Sequence, residues 1–93
     1  MNKQQLFKTI ASYLKKHGAK KVAIFGSYAR DEETSKSDVD VLVEFKARIS
    51  LLKIVGIQDD LKDITGKKID LQTEKSISKY IREQVKKEMK VIM

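Results

Sequence analysis

The residues from Asp38 to Phe45 alternate in chemical character, and this alternation limits what the chain can fold into. Apolar side chains occupy positions 39, 41, 43 and 45, whereas aspartate occupies positions 38 and 40. Successive side chains of a strand point to opposite faces of a sheet. The pattern therefore predicts a strand with one buried apolar face and with both carboxylates on the opposite face. Such a strand needs neighbouring strands and a layer that covers its apolar side.

The patterns on either side predict helices that alternate with short strands. Leu6, Ile10 and Leu14 recur at helical spacing and predict a helix over residues 3–16, which Gly18 ends. The compact apolar run 22–25 predicts a buried strand.

The second half of the chain repeats this alternation. A second helix is predicted over residues 50–65, ended by Gly66, and a third strand over residues 68–72. A last helix is predicted from Ile77, Ile81, Val85 and Met89, with Ser76 as its N-cap. The order helix, strand, strand, helix, strand, helix predicts an α/β fold with helices packed on a small sheet. We expect one domain over residues 1–93, because so short a chain cannot enclose a second core.

The composition excludes several classes of protein. The chain has no cysteine, which excludes disulfides, zinc–thiolate sites and a cysteine nucleophile, and which fits a cytoplasmic location. No apolar stretch approaches the roughly 18 residues of a membrane span, and no signal peptide opens the chain, so we expect no membrane association. The net charge of +7 indicates either an anionic partner, such as a nucleotide or RNA, or lysines that are solvated on helix faces. An aromatic content of 6% offers no base-stacking platform, so direct nucleic-acid binding is not favoured.

Three aspartates are candidates for a metal site. Asp70 lies between Ile69 and Leu71 and repeats the arrangement of Asp38 and Asp40. If the helices cover only one side of the sheet, all three carboxylates converge on the open face. Clustered carboxylates repel one another unless a cation neutralises them, and oxygen ligands of this kind suit Mg²⁺. Two such ions would serve phosphoryl-type transfer.

Gly26 and Ser27 follow the buried strand directly and form a candidate phosphate cradle. Glycine lets the backbone approach a phosphate closely, and the free N–H groups of a following turn attract anions. The hydroxyl of Ser27 is a further candidate donor. A phosphate cradle at the end of one strand and metal carboxylates on the next are the two parts that a nucleoside triphosphate requires.

The spacing of these residues resembles a known signature. Gly26-Ser27, ten intervening residues and Asp38-Val39-Asp40 are similar to the Gly-Ser-x10-Asp-x-Asp signature of the polymerase-β-like nucleotidyltransferase superfamily. From residue 20 onward, the segments GSYAR, SDVDVLVEF and GKKIDLQTE and the basic C-terminal helix resemble the minimal nucleotidyltransferase (MNT) family.

The resemblance implies a mixed sheet of three or more strands flanked by helices. It implies the following roles: catalytic and metal-binding carboxylates Asp38, Asp40 and Asp70, and nucleotide-binding residues Gly26, Ser27 and Arg30. One departure is Asp31, where many members of the family carry glycine. That difference bears on the shape of the loop but leaves the carboxylates unaffected.

The resemblance also implies a substrate and a partner. Members of the MNT family act as antitoxins that transfer AMP from ATP, with Mg²⁺, to a tyrosine of a HEPN-family toxin. We therefore expect ATP or another nucleoside triphosphate as donor and a HEPN toxin as acceptor. Two alternatives stay open. One is a transferase for a small molecule or RNA end that works with a separate substrate-binding subunit, and the other is a non-catalytic nucleotide-binding module that neutralises a toxin by contact.

Overall fold

The chain forms three α-helices and a four-stranded sheet, in a computed structural model that describes all 93 residues. The elements in chain order are α1 (Lys3–Lys16), β1 (Ala19–Phe25), β2 (Val39–Phe45), α2 (Leu51–Thr65), β3 (Ile69–Gln72), α3 (Lys79–Glu88) and β4 (Lys90–Val91). Two 3₁₀ turns, at Gly26–Tyr28 and Glu74–Ser76, join strands to the segments that follow. No helix has the length and apolar character needed to cross a membrane.

The sheet is mixed, and its strand order is β3-β2-β1-β4. The inner strand β1 runs antiparallel to both of its neighbours, β2 and β4. Strands β2 and β3 run parallel, and such a pair needs a crossover connection, which α2 provides. The predicted class of a small mixed sheet flanked by helices is confirmed.

The main core lies between one face of the sheet and helices α1 and α2. It comprises the buried residues Leu6, Ile10, Leu14, Ala19, Val22, Ile24, Tyr28, Val39, Val41, Val43, Ile57, Leu61, Ile69 and Leu71. The alternating apolar row of β2 supplies three of them, so that strand is oriented as its sequence predicts. Burial of this row holds the polar side chains of β2 on the other face.

The other face of the sheet carries the C-terminal segment. Ala23, Ile77 and Val85 are buried but lie outside the main core. Ala23 belongs to the face opposite Val22 and Ile24, since neighbouring strand residues point to opposite sides. Helices therefore flank the sheet on both sides, and the carboxylate face is partly covered rather than open.

The predicted start and end of the last helix are wrong. Helix α3 begins at Lys79 with Ser78 as its N-cap, whereas Ser76 belongs to the preceding 3₁₀ turn. The Ser76 hydroxyl accepts a hydrogen bond from the Thr73 N–H and donates one to the Thr73 carbonyl, both at 2.9 Å, so Ser76 is already engaged in the turn. Met89 adopts an extended conformation at the helix end, and the two residues after it pair with β1 as strand β4.

Local signals at the ends of the first two helices are confirmed. The hydroxyl of Ser50 accepts a hydrogen bond from the N–H of Lys53 at 3.2 Å and caps α2. Gly66 ends the same helix with φ of 72°, a left-handed conformation that glycine adopts without strain. Helix α1 covers the predicted residues 3–16.

A pair of leucines on α2 tests the position of the core. Leu61 is 0% exposed and Leu52 is 86% exposed. We expect Leu61→Ala to lower the free energy of unfolding by about 2–5 kcal/mol, because it leaves a cavity in a packed interior. The control Leu52→Ala should change it by less than about 0.5 kcal/mol. Urea unfolding followed by circular dichroism measures both, and equal losses would show that α2 packs through a different face.

Candidate functional site

Asp40 and Asp70 lie side by side on neighbouring parallel strands. The register of β2 and β3 pairs Asp40 with Asp70, and pairs the buried Val39 with the buried Ile69. Because the strands are in phase, both carboxylates belong to the face opposite the main core. Both side chains are half-buried, whereas Asp38, which precedes β2 by one residue, is exposed.

Asp38 and Asp70 each interact with another side chain. Asp38 forms an ion pair with Lys68 at 3.8 Å, and Asp70 accepts a hydrogen bond from the amide of Gln72 at 3.0 Å. With these side-chain orientations, no three acidic or histidine side chains are grouped as a metal-binding cluster. The structure thus brings Asp40 and Asp70 together, and Asp38 precedes Asp40 by two residues in the sequence. Joint binding of an ion by all three stays a prediction.

Burial and like charge raise the pKa of Asp40 above its ordinary value. The largest cause is desolvation, followed by repulsion from Asp70 and from Asp38. The guanidinium of Arg30 acts in the opposite direction, and Glu88 adds further repulsion. The negative charge at this point is therefore only partly compensated by the protein itself. A divalent cation at Asp40 would remove the repulsion, which is the electrostatic condition for a metal site.

Gly26 brings the turn after β1 into direct contact with the Asp40 carboxylate. Its φ is 71°, and a methyl group added there would overlap Oδ2 of Asp40 and lie 3.1 Å from Cγ. Only a residue without a side chain permits this approach. The candidate phosphate cradle and the candidate metal ligand are thus adjacent, as a nucleoside triphosphate with its cation requires.

The turn that follows has a shape that explains the departure at Asp31. The Gly26 carbonyl accepts hydrogen bonds from the N–H groups of Ala29 and Arg30, at 3.1 and 3.2 Å. Asp31 then adopts φ of 58°, a left-handed conformation that glycine favours and that aspartate tolerates better than most residues. Its carboxylate forms ion pairs with Lys3 and Lys90. Aspartate therefore accommodates the backbone conformation that favours glycine at this position.

Glu88 is part of this site, although the sequence patterns did not indicate it. Its carboxylate accepts hydrogen bonds from the Gly26 N–H at 3.1 Å and from Nη1 of Arg30 at 3.1 and 3.2 Å. Arg30 also donates from Nε to Glu32 at 2.9 Å. The guanidinium predicted to contact phosphate is therefore held beside the cradle. The only signal in the sequence is an acidic residue within a basic C-terminal stretch.

A groove of about 980 Å³ meets this site at one end. It shares Asp70 and Gln72 with the carboxylate face and extends to exposed apolar residues of α2, among them Leu51 and Val55. Arg82 of α3 also lines it. The groove reaches the predicted carboxylates only at Asp70, so it offers a second approach to the site, separate from the cradle at Gly26.

Comparison with known proteins identifies the same domain by sequence. The family model of the nucleotidyltransferase domain matches residues 7–92. A protein of Methanocaldococcus jannaschii, provisionally named a protein adenylyltransferase, is 40% identical over 85 residues, covering 91% of each chain.

Solved structures give the same result for the fold. A protein provisionally described as a minimal nucleotidyltransferase is 32% identical, with a TM-score of 0.80 over 94% of this chain and 89% of the other. The MNT antitoxin in complex with a tri-AMPylated HEPN toxin of Shewanella oneidensis has a TM-score of 0.77 at 20% identity, covering 97% and 71% of the two chains. That second likeness concerns the fold alone. The predicted family resemblance is confirmed by the sequence match and by the fold.

Two glycines with the same backbone conformation test the close approach at the cradle. Gly26 and Gly66 have φ of 71° and 72°, but only Gly26 has neighbouring atoms where a side chain would lie. Gly66→Ala should cost about 1 kcal/mol of stability for the left-handed backbone alone. Gly26→Ala should cost more and should also weaken nucleotide binding, because the new methyl group displaces the Asp40 carboxylate. Urea unfolding and nucleotide titration measure the two effects, and equal behaviour of both variants would contradict the contact.

Proposed function

We propose, from the premise that this chain belongs to the nucleotidyltransferase domain family, that it is an antitoxin that transfers AMP from ATP to a hydroxyl of a HEPN-family toxin. The observation that carries the proposal is the register that sets Asp40 beside Asp70, with the Gly26 turn in contact with Asp40. This arrangement combines a phosphate cradle with paired carboxylates. We place the reaction in the cytoplasm, where ATP is supplied.

The carboxylates suit Mg²⁺, and we propose two ions held by Asp38, Asp40 and Asp70. Three observations support the fit: the side-by-side register of two aspartates, the position of the third two residues before Asp40, and the raised pKa of Asp40. Hard oxygen ligands and substrate phosphates are what Mg²⁺ prefers. When bound, the metal supplies charge neutralisation and Lewis-acid activation of phosphate oxygens.

The residues of the cradle would bind and orient the triphosphate. The Gly26 N–H and the Arg30 guanidinium are donors that suit phosphate oxygens, and Ser27 adds a hydroxyl beside them. In the transfer, the acceptor oxygen attacks the α-phosphorus, the bond from that phosphorus to the bridging oxygen breaks, and pyrophosphate leaves. Asp70 would accept the proton of the acceptor hydroxyl. Its position at the end of the groove is on the side from which an acceptor can approach.

The choice of a protein acceptor is supported by relatives. The Methanocaldococcus jannaschii protein bears the provisional name of a protein adenylyltransferase at 40% identity. The Shewanella oneidensis antitoxin of similar fold was solved with a HEPN toxin that carries three AMP groups. A tyrosine as the acceptor residue is part of the proposal, as is ATP as the preferred nucleotide.

Substitution of the paired carboxylates tests the catalytic role. Asp40→Asn and Asp38→Asn preserve side-chain volume but remove the charge that would hold a cation. We expect each to slow AMP transfer by about two orders of magnitude or more, the scale of losing one electrostatic stabiliser of a transition state. Asp63→Asn, on the exposed side of α2, is the matched control and should keep full activity. Transfer from radiolabelled ATP to the toxin measures the rates, and full activity of Asp40→Asn would refute the assignment.

Asp40→Asn should leave the stability of the metal-free protein unchanged or slightly higher, although it slows transfer. Because the pKa of Asp40 is raised in the folded protein, its ionised form is disfavoured there, and folded-state stability falls as pH rises through that pKa. Asp40→Asn removes this penalty, so at pH 7 without divalent cations it should match or slightly exceed the wild-type melting temperature. Added Mg²⁺ with ATP should stabilise the wild type more than the variant. A marked loss of stability in the metal-free variant would show a structural role instead.

The partner is tested by mass spectrometry of both proteins after incubation with ATP and Mg²⁺. We expect a mass increase of one or more AMP groups on the toxin, and toxin ribonuclease activity should fall as the adduct accumulates. Inhibition without an adduct, unchanged by Asp40→Asn, would favour the module that neutralises by contact. Modification of a small molecule or RNA end, with no effect on the toxin, would favour the other transferase and contradict the antitoxin proposal.

A further inference from the structure

The carboxylate of Glu88 binds two donors of the candidate phosphate cradle. Its Oε1 accepts a hydrogen bond from the Gly26 N–H at 3.1 Å, and Nη1 of Arg30 reaches both oxygens at 3.1 and 3.2 Å. The Glu88 side chain is 15% exposed and the Arg30 side chain 42%, so the contact is partly exposed. A backbone N–H of a glycine together with a guanidinium is a donor set typical of phosphate binding.

The Gly26 N–H and Nη1 of Arg30 cannot serve Glu88 and a nucleotide phosphate at the same time. The Gly26 amide has a single hydrogen, and the Glu88 oxygen already accepts it. Gly26 also lies against the Asp40 carboxylate. If the carboxylates hold the cation of the triphosphate, the triphosphate must lie beside this amide. We propose that Glu88 is an internal stand-in for the nucleotide phosphate: it positions Gly26 and Arg30 in the free protein and is displaced when ATP binds. This inference rests on the proposed function of the cradle.

The surrounding charges favour replacement of the Glu88 carboxylate by a phosphate group. Glu88 lies close enough to Asp40 to disfavour ionisation there, so its carboxylate adds negative charge to a site already rich in it. Its pairing with Arg30 compensates part of that cost, but Arg30 is itself 42% exposed. A partly exposed pair of this kind contributes little net stability. A triphosphate that arrives with Mg²⁺ brings its own cation and replaces one anion by another that is better neutralised.

Displacement needs only the side chain to move. Glu88 is the last residue of α3, and Lys90, two residues on, is paired with Ile24 of β1 as part of β4. Val85, one helical turn earlier, is buried. The backbone on both sides of Glu88 is therefore anchored, while its side chain can rotate away from the turn. Glu32 continues to hold Nε of Arg30 when Glu88 leaves, so the guanidinium stays near the cradle.

The competition between Glu88 and phosphate predicts a tighter nucleotide site when the Glu88 carboxylate is removed. Glu88→Gln keeps the side-chain shape but loses the charge that attracts Arg30. We expect about fivefold tighter binding of a non-hydrolysable ATP analogue with Mg²⁺, the upper range for losing one partly exposed ion pair. The KM for ATP should fall in parallel. Glu83→Gln, an exposed glutamate of the same helix, is the control for removing one negative charge at long range.

A second variant distinguishes the effect of side-chain length from the effect of side-chain charge. Glu88→Asp keeps the charge but is shorter by one methylene group, so it cannot span from α3 to both donors in the same way. If displacement of a specific contact limits binding, Glu88→Asp should also bind the analogue more tightly than the wild type. If charge alone matters, it should bind like the wild type, and the stand-in role is then wrong.

Isothermal titration calorimetry with the four proteins decides between the outcomes. Tighter binding by Glu88→Gln and Glu88→Asp, with Glu83→Gln unchanged, supports the inference. A residue that only supports the fold would instead give equal or weaker binding on substitution, and that result overturns the inference while leaving the proposed function intact. Thermal melts of the free proteins verify that each variant is folded. Absence of analogue binding by all four proteins would refute both the inference and the proposed function.

Discussion

The parallel pairing of β2 with β3 is the constraint on which the site depends. It aligns Val39 with Ile69 and Asp40 with Asp70, so that burial of the first pair fixes the second pair on the opposite face. A slip of one residue would move a carboxylate into the core, where an unpaired charge is costly. The hydrophobic packing of α1 and α2 on the sheet therefore sets the separation of the two carboxylates. The stability of the fold and the proposed chemistry thus both depend on the register of β2 and β3.

The turn at Gly26 couples that register to the rest of the molecule. Gly26 contacts Asp40 on one side, and its N–H donates to Glu88 of the C-terminal helix on the other. Segments from the middle and the end of the chain thus meet at one backbone amide. Arg30 is pre-oriented by its hydrogen bond to Glu32, which lowers the entropy lost when a ligand binds. The carboxylates are not compensated in this way, since Asp70 and Asp38 both repel the charge of Asp40.

Local chemistry in the sequence predicts much of this arrangement. Ser50 and Gly66 mark the ends of α2, because capping and left-handed termination depend on neighbouring residues only. The alternation before Phe45 predicts which face carries the carboxylates. What the sequence did not predict is set by distant contacts. Glu88 and Gly26 are 62 residues apart in the chain, so no local pattern relates them.

The error at the last helix has the same origin. Four-residue spacing joined Ile77 and Ile81 into one predicted helix face, yet Ile77 is buried in an extended segment and Ile81 is 48% exposed. Strand β4 was missed because its two residues are too short for any periodicity, and they form a strand only by pairing with β1. An open carboxylate face required helices on one side of the sheet only, whereas the burial of Val85 shows that the C-terminal segment covers the second face.

The central claim is that the register of β2 and β3 builds a metal-dependent nucleotide site. A crystal structure with Mn²⁺ and a non-hydrolysable ATP analogue tests it directly, since Mn²⁺ accepts the oxygen ligands of Mg²⁺ and is located by its anomalous scattering. We predict an anomalous peak about 2.1 Å from carboxylate oxygens of Asp40 and from phosphate oxygens of the analogue, with the triphosphate on the Gly26 turn. A metal and nucleotide bound elsewhere on the protein, with Asp40 and Asp70 uncoordinated, would contradict the claim.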